Sequence, residues 1–195
     1  MGKSRLEAFS DGVIAIIITI MVLEMKVPHG ADWAALSGLW PVFLSYVLSF
    51  VYVGTYWNNH HHLLHAARGV DGRVLWANLH LLFWLSLMPF TTGWMGENRF
   101  AASPTVLYGL NLLACALAYF VLQLLLARQE GHDGAMARAL GAGGKDKLSI
   151  LGYVVGIVLA FASVPLAGFA MFVGVALLWL VPDRRMAGVV KARER

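Results

Sequence analysis

Long stretches of apolar residues with few charges constrain this chain more than any other feature of its sequence. A helix needs roughly 20 mostly apolar residues to cross the hydrocarbon core of a bilayer. Four stretches have about that length, and a fifth is long enough for two crossings and is divided near Pro165, because proline interrupts a helix. The stretches cover residues 8–25, 36–59, 74–94, 104–127 and 148–181. The pattern therefore predicts an all-α membrane protein with six transmembrane helices.

Composition excludes several classes of protein. Apolar residues make up 59% of the 195 residues and charged residues 13%, whereas soluble domains have about 45–50% and about 25%. A soluble enzyme, a disordered chain and a nucleic-acid-binding module are therefore excluded, and no nucleic-acid partner is expected. The single cysteine, Cys115, excludes an internal disulfide framework and a zinc site built from cysteines.

The placement of basic residues supports an even number of crossings. With the N-terminus in the cytoplasm, 13 of the 15 Lys and Arg residues fall in the inner segments, and Lys26 and Arg99 alone fall outside. Basic residues are enriched in the cytoplasmic segments of membrane proteins. We therefore expect both termini in the cytoplasm, a transmembrane domain over residues 1–182, a polar inner loop over 131–147 and a short basic tail over 183–195.

The first apolar stretch carries an unusual motif. Its N-terminal part reads R-x-x-x-F-S-D, formed by Arg5, Phe9, Ser10 and Asp11, and continues into A-I-x-x-T. Three later strings accompany it: YWNNHH at 56–61, LWANL at 75–79 and PFTT at 89–92. In this combination the motifs resemble those of the transmembrane protein 175 family, which contains the lysosomal potassium channel and its bacterial relatives.

The resemblance implies a potassium-permeable channel in a bacterial-type plasma membrane, passing other monovalent cations more weakly. Its bacterial members are six-helix subunits that assemble as homotetramers in the lipid bilayer, with the first helix of each subunit lining the pore. By position relative to Asp11, the resemblance implies an apolar constriction at Ile16, Ile20 and Leu23 and a polar pore layer at Thr19. It implies a structural role for the R-x-x-x-F-S-D residues. Neither a cofactor nor catalytic activity is implied.

The residues themselves give a compatible pattern on the first helix. At about 100° per residue, Ile16, Ile20 and Leu23 share one face with Thr19, and Asp11 points to the other side. The chain contains no T-V-G-Y-G filter, so selectivity would depend on a narrow apolar ring and on the hydroxyl. Apolar residues on such a face also suit contact with lipid or packing in a core, and the face alone does not distinguish these roles.

Polar residues recur near the inner ends of the first three predicted spans. A carboxylate inside a span pairs with other groups in the bundle interior. We expect a buried network of Ser10, Asp11, Asn78 and His80, with Arg5 or His60 as candidates to complete it. Fastening the pore helix to its own subunit is the first interpretation, and sensing of protons by a histidine beside a carboxylate is the second.

Four histidines leave two other functions open. The side chains of His61 and His65 share a helical face, as metal ligands can, and His60 and His62 lie beside them. A membrane redox protein that binds a metal or haem is therefore one alternative, although the acidic residue of H-E-x-x-H is missing. A proton-coupled transporter that uses Asp11 and His80 is the other. We expect no metal site.

Overall fold

The computed structural model describes residues 2–67, 69–130 and 144–180, and this part of the chain is all-α without strands. It contains eight helices. In chain order these are α1 Lys3–Leu23, α2 Trp33–Ser37, α3 Trp40–Ala66, α4 Gly72–Ser86, α5 Met88–Glu97, α6 Ala102–Glu130, α7 Gly144–Phe161 and α8 Pro165–Leu180.

Three helical segments of the described chain are long and apolar enough to cross a membrane by length and composition. They are Lys3–Leu23, Gly72–Glu97 and Ala102–Gln129, and Pro165–Leu180 is a shorter apolar helix. The second and fifth predicted spans fall on α3 and α7. Serine and aromatic residues make α3 less hydrophobic, and α7 has three charged residues directly after Gly144. Both helices are therefore less apolar than the three long segments.

Two helix boundaries differ from the sequence-based expectation. The third predicted span is interrupted at Leu87, and α5 begins there with Pro89 in its first turn, because proline has no N–H to continue the ladder of α4. Helix α3 continues past residue 59 to Ala66 and ends where Ala67 turns extended, since no proline or glycine lies between residues 59 and 66. The histidines therefore belong to the last turns of α3.

The long last stretch divides at the expected place. Helix α7 ends at Phe161, Ser163 adopts a positive φ of 64°, and α8 begins at Pro165. The two helices approach closely, because a Cβ on Gly168 would lie 2.5 Å from the carbonyl oxygen of Gly156. The predicted loop over 131–147 is shortened, since α7 begins at Gly144. Residues 131–143 and the basic tail 183–195 lie outside the described residues.

The helices pack into one bundle around α6. Helices α7 and α8 form a hairpin against α6, whereas α1 contacts α3, α4 and α5 on the other side. The core includes Tyr108, Cys115 and Phe172, each fully buried. The α1 segment is the least buried of the three long apolar segments, with 28% of its most hydrophobic window inside the bundle. One side of α1 is therefore left uncovered by its own subunit.

Candidate functional site

Helix α1 has a packed side and an uncovered side. Buried residues recur every three to four positions along it, as one face of a helix requires: Leu6, Ser10, Ile14, Ile17 and Met21. The predicted constriction residues lie on the uncovered side, where Ile16 is 58%, Ile20 41% and Leu23 78% exposed. The subunit covers these three large apolar side chains only in part, so this face suits contact with lipid or with another copy of the chain.

The hydroxyl on the same face is bonded to its own helix. Thr19 donates through Oγ1 toward the carbonyl oxygens of Ala15 at 3.1 Å and Ile16 at 2.9 Å. A hydroxyl has two acceptor lone pairs besides its single proton. Because Thr19 is exposed, its oxygen remains available as an acceptor. About two turns toward the N-terminus from Thr19, a Cβ on Gly12 would meet nothing within 4 Å, so the uncovered face continues there.

A buried hydrogen-bonded chain joins α1, α3 and α4. Asn78 donates through Nδ2 to Ser10 Oγ at 2.9 Å, and its Oδ1 lies 2.7 Å from His60 Nε2. Ser10 in turn donates to the carbonyl oxygen of Leu6 at 2.9 Å. Ser10, His60 and Asn78 are each fully buried. We call these three residues the inner polar chain, and they connect three helices across the packed side of α1.

The inner polar chain also fixes the tautomer of the histidine. Since Asn78 Nδ2 is already the donor to Ser10, its Oδ1 must accept, and His60 Nε2 carries the proton. His60 Nδ1 is then a bare acceptor, and it has no hydrogen-bond partner among the described residues.

Two expected members lie outside the inner polar chain. His80 is exposed and accepts at Nε2 from Trp84 Nε1 at 2.9 Å, on its own helix. Two residues apart, Asn78 and His80 point about 200° apart on α4, so they do not share a face. Asp11, one position beyond Ser10, is only partly buried and accepts from Trp57 Nε1 at 3.0 Å. Arg5 is exposed and is not part of the inner polar chain either.

A second row of contacts links α1 to α3 beside the inner polar chain. Glu7 Oε1 lies 3.0 Å from His61 Nδ1. One turn earlier, Lys3 Nζ donates to the carbonyl oxygen of His65 at 2.9 Å. Together with the Asp11 contact, these pairs are spaced four residues apart on both helices. The side chains of Lys3, Glu7 and Asp11 thus follow one edge of α1.

The sequence-based reasoning missed Lys3, Glu7 and Trp57. Their spacing carried the signal, because residues 3, 7 and 11 on one helix and 57, 61 and 65 on an antiparallel partner recur at the same interval. Phe9, which belongs to the motif, is 48% exposed and is not part of either row.

The histidine cluster is a stack of rings. The rings of His61 and His65 are nearly parallel at 16°, with centroids 6.1 Å apart, and Trp57 stacks on His61 from the other side at 6.4 Å. Within the described ranges, no three His, Cys, Asp or Glu side chains come together as a metal-binding group. At the end of α3, His61 contacts Glu7 of α1, and the carbonyl oxygen of His65 accepts from Lys3.

An open groove runs between α1 and α5. Its volume is about 580 Å³, and Ile16, Ile20 and Glu24 form its α1 wall. Phe90 and Trp94 stack at 11° on the α5 wall, and Phe90 is 61% exposed. The groove extends the uncovered apolar surface of α1 onto α5.

Comparisons with known proteins agree with this architecture. Residues 5–89 match the protein family described as "Endosomal/lysosomal potassium channel TMEM175". A potassium channel of Chryseobacterium sp. is 51% identical over 98% of this chain and 99% of its own. A potassium channel of Streptomyces collinus is 37% identical over 84% of this chain and 85% of its own.

A solved structure has the same overall fold. The crystal structure of a lysosomal potassium-selective channel TMEM175 homolog from Chamaesiphon minutus superimposes with a TM-score of 0.80. It is 28% identical, and the match covers 92% of this chain and 96% of that one. The resemblance first suggested by the R-x-x-x-F-S-D motif thus extends over nearly the whole chain, which belongs to the family of the potassium channel TMEM175.

Proposed function

We propose that this chain is the subunit of a homotetrameric channel that conducts potassium passively across a bacterial-type plasma membrane. The observation that carries the proposal is the uncovered apolar face of α1, where Ile16 and Leu23 are 58% and 78% exposed. The family is described as that of an endosomal/lysosomal potassium channel, and two similar bacterial proteins are named potassium channels, which supports the choice of ion. Potassium is the preferred ion, and other monovalent cations pass more weakly.

In the proposed topology, the chain crosses the membrane six times with both termini in the cytoplasm. The crossings are α1, α3, α4 together with α5, α6, α7 and α8. Helix α3 has 27 residues, which at about 1.5 Å per residue exceeds the hydrocarbon thickness of about 30 Å. The distribution of Lys and Arg supports the orientation. The channel domain then covers residues 1–182, followed by the basic tail 183–195.

The proposed pore is formed by four copies of α1. One helix cannot enclose a pathway, and each subunit supplies one such helix, so closure requires several copies around a symmetry axis. Four copies would stack rings of Ile16, Ile20 and Leu23 along about 10 Å of axis, at about 1.5 Å per residue. An apolar ring gives a cation nothing in exchange for lost water and closes by dewetting.

Selectivity in this proposal follows from hydration. Potassium holds its water less tightly than sodium and crosses a narrow apolar ring at lower cost. Thr19 supplies acceptor oxygens beside the Ile16 ring, because its proton is used within the helix. The inner polar chain and the contact between Asp11 and Trp57 hold α1 against its own subunit. The motif residues Arg5, Phe9, Ser10 and Asp11, with Asn78, have structural roles in this proposal, whereas His80, which bonds to Trp84 of its own helix, does not fasten α1.

Single-channel recording in planar bilayers tests the proposed function. The purified chain is incorporated under a potassium gradient, and its reversal potential is measured against sodium. We expect discrete openings with a reversal potential near that of potassium. Native mass measurement in detergent should give four copies of the chain. A stable monomer that conducts, or a tetramer that carries no current, would contradict the proposal.

A further inference from the structure

We infer that Glu24 of each subunit forms an acidic ring at the outer entrance of the pore and concentrates cations there. The inference rests on the proposed function, since it requires α1 to line a pathway. Glu24 directly follows Leu23, the most exposed of the three constriction residues at 78%, and it caps the C-terminus of α1. It is exposed, so its carboxylate is in contact with solvent.

The groove places Glu24 beside the pore face. Ile16, Ile20 and Glu24 form the α1 wall of the same groove, so the carboxylate borders the space that the isoleucines border. Its Oε2 atom lies 3.5 Å from where a Cβ on Gly93 would be. The side chain of Glu24 therefore lies between α1 and α5, beside Gly93.

The neighbouring charges leave Glu24 incompletely compensated. Lys26, the nearest basic residue along the chain, has its Nζ atom 2.7 Å from Glu97 Oε1. The hydrogen bond and charge of Glu97 raise the pKa of Lys26 first, and the charge of Glu24 adds less. Arg99 borders the same pocket as Glu24, Lys26 and Glu97, but no basic side chain among the described residues forms an ion pair with Glu24.

The end of α1 adds to this negative potential. The C-terminus of a helix carries a partial negative charge of roughly half an electron, and the last turn of α1 has no basic residue to offset it. Four copies would bring four carboxylates and four helix ends around one entrance. Rings of Asp or Glu raise the local concentration of cations in channels.

Salt dependence of the conductance tests the ring. The charge acts over a screening length of about 10 Å in 0.1 M salt and about 3 Å in 1 M salt. In bilayers of uncharged phosphatidylcholine, we expect Glu24→Gln to lower unitary potassium conductance roughly two- to threefold in 0.05 M KCl. In 1 M KCl the variant and the wild type should differ by less than about a fifth. When the KCl concentration is lowered on the outer side alone, the loss of current in Glu24→Gln relative to the wild type should be larger for inward than for outward current.

The matched control is Asp32→Asn. It removes one carboxylate from the same proposed side of the membrane, and asparagine caps a helix as well as aspartate does, so the bond from Ala35 N to Asp32 Oδ1 is replaced. We expect this variant to conduct like the wild type at both salt concentrations. An equal loss in both variants, or no loss in Glu24→Gln, would overturn the inference.

Two further measurements cover a variant that fails to assemble. The wild type in 0.05 M KCl should retain clearly more than one-twentieth of its conductance in 1 M KCl, and strict proportionality would contradict an acidic ring. Glu24→Asp keeps the charge and should retain the low-salt conductance, whereas a loss like that of Glu24→Gln would refute the electrostatic role. A wild-type chain without any potassium current would instead refute the proposed function.

Discussion

Replacing Asn78 by alanine is expected to destabilise the folded subunit by about 2–3 kcal/mol. The change removes the acceptor of the His60 N–H and the donor to Ser10 at once. A buried donor left without a partner costs about 1–3 kcal/mol. Hydrogen bonds between membrane helices average about 0.6 kcal/mol and reach about 1.7 kcal/mol. Ser10 still donates to Leu6, so most of the loss falls on His60.

His80→Ala is the control on the same helix. His80 lies two residues away, is exposed, and within the described part of the chain bonds only to Trp84 of the same helix. Substitutions at such surface positions change stability by no more than about 0.5 kcal/mol. The two variants thus compare two polar side chains of α4 that differ in burial.

Thermal unfolding in detergent micelles, followed by far-ultraviolet circular dichroism, provides the assay. At about 2–4 °C per kcal/mol for a chain of this size, Asn78→Ala should lower the midpoint by about 5–10 °C. A double-mutant cycle with His60→Ala should give a coupling energy above about 0.5 kcal/mol. An Asn78→Ala midpoint within 1 °C of the wild type, or an equal shift for His80→Ala, would refute the proposed role of the inner polar chain.

Three further predictions follow from the helix faces and ends. Ile16→Asn should raise potassium conductance and weaken the preference for potassium over sodium, because the amide can replace water around the ion, whereas Ile16→Leu should change both little. Ile17 is only 4% exposed, so Ile17→Asn should instead reduce the yield of folded protein in size-exclusion chromatography. Gly168→Leu should lower the unfolding midpoint by at least 5 °C, at about 2–4 °C per kcal/mol, because its Cβ would meet the α7 backbone at 2.5 Å, whereas Gly54→Ala, with nothing within 4 Å, should stay near the wild type. The hydrogen bond from the backbone N–H of Val74 holds the pKa of Asp71 below its usual 3.8, so the charged cap stabilises the fold above pH 3.8 and loses its effect as the pH falls through the lowered pKa. The difference in unfolding midpoint between the wild type and Asp71→Asn should therefore shrink on acidification, and a constant difference would contradict this account.

Helix positions and the two sides of α1 were predictable from the sequence. Apolar runs of spanning length and the break before Pro165 depend on local chemistry, which the sequence carries directly. Helical periodicity placed Ile16, Ile20 and Leu23 on one face, and the structure leaves all three exposed. Their role in a pore remains a prediction, as do the six crossings and the tetramer.

The membership of the polar network was less predictable. Topology placed Asn78 and His80 at similar depth, but depth does not determine the direction of a side chain around the helix axis. Only Asn78 faces α1, while His80 turns to Trp84. The choice between Ser10 and Asp11 likewise depended on how α1 is rotated against α3 and α4, which tertiary packing decides. The break at Leu87 was missed because the apolar run continues through it, although Pro89 marked it.

Helix α1 is bonded to its neighbours at one end only. Among the described residues, every hydrogen bond or ion pair from α1 to α3, α4 or the segment after α3 involves a residue no later than Asp11. Beyond that point apolar contacts hold the helix, so α1 can tilt about a point near Ser10. Leu23 lies about 20 Å from Ser10 along the helix and Ile16 about 9 Å, at about 1.5 Å per residue. A tilt of about 5° would displace Leu23 by about 1.7 Å and Ile16 by about 0.8 Å without breaking a hydrogen bond. In a tetramer with α1 around the pore, a small change in the tilt of α1 would therefore change the radius of the Leu23 ring more than that of the Ile16 ring.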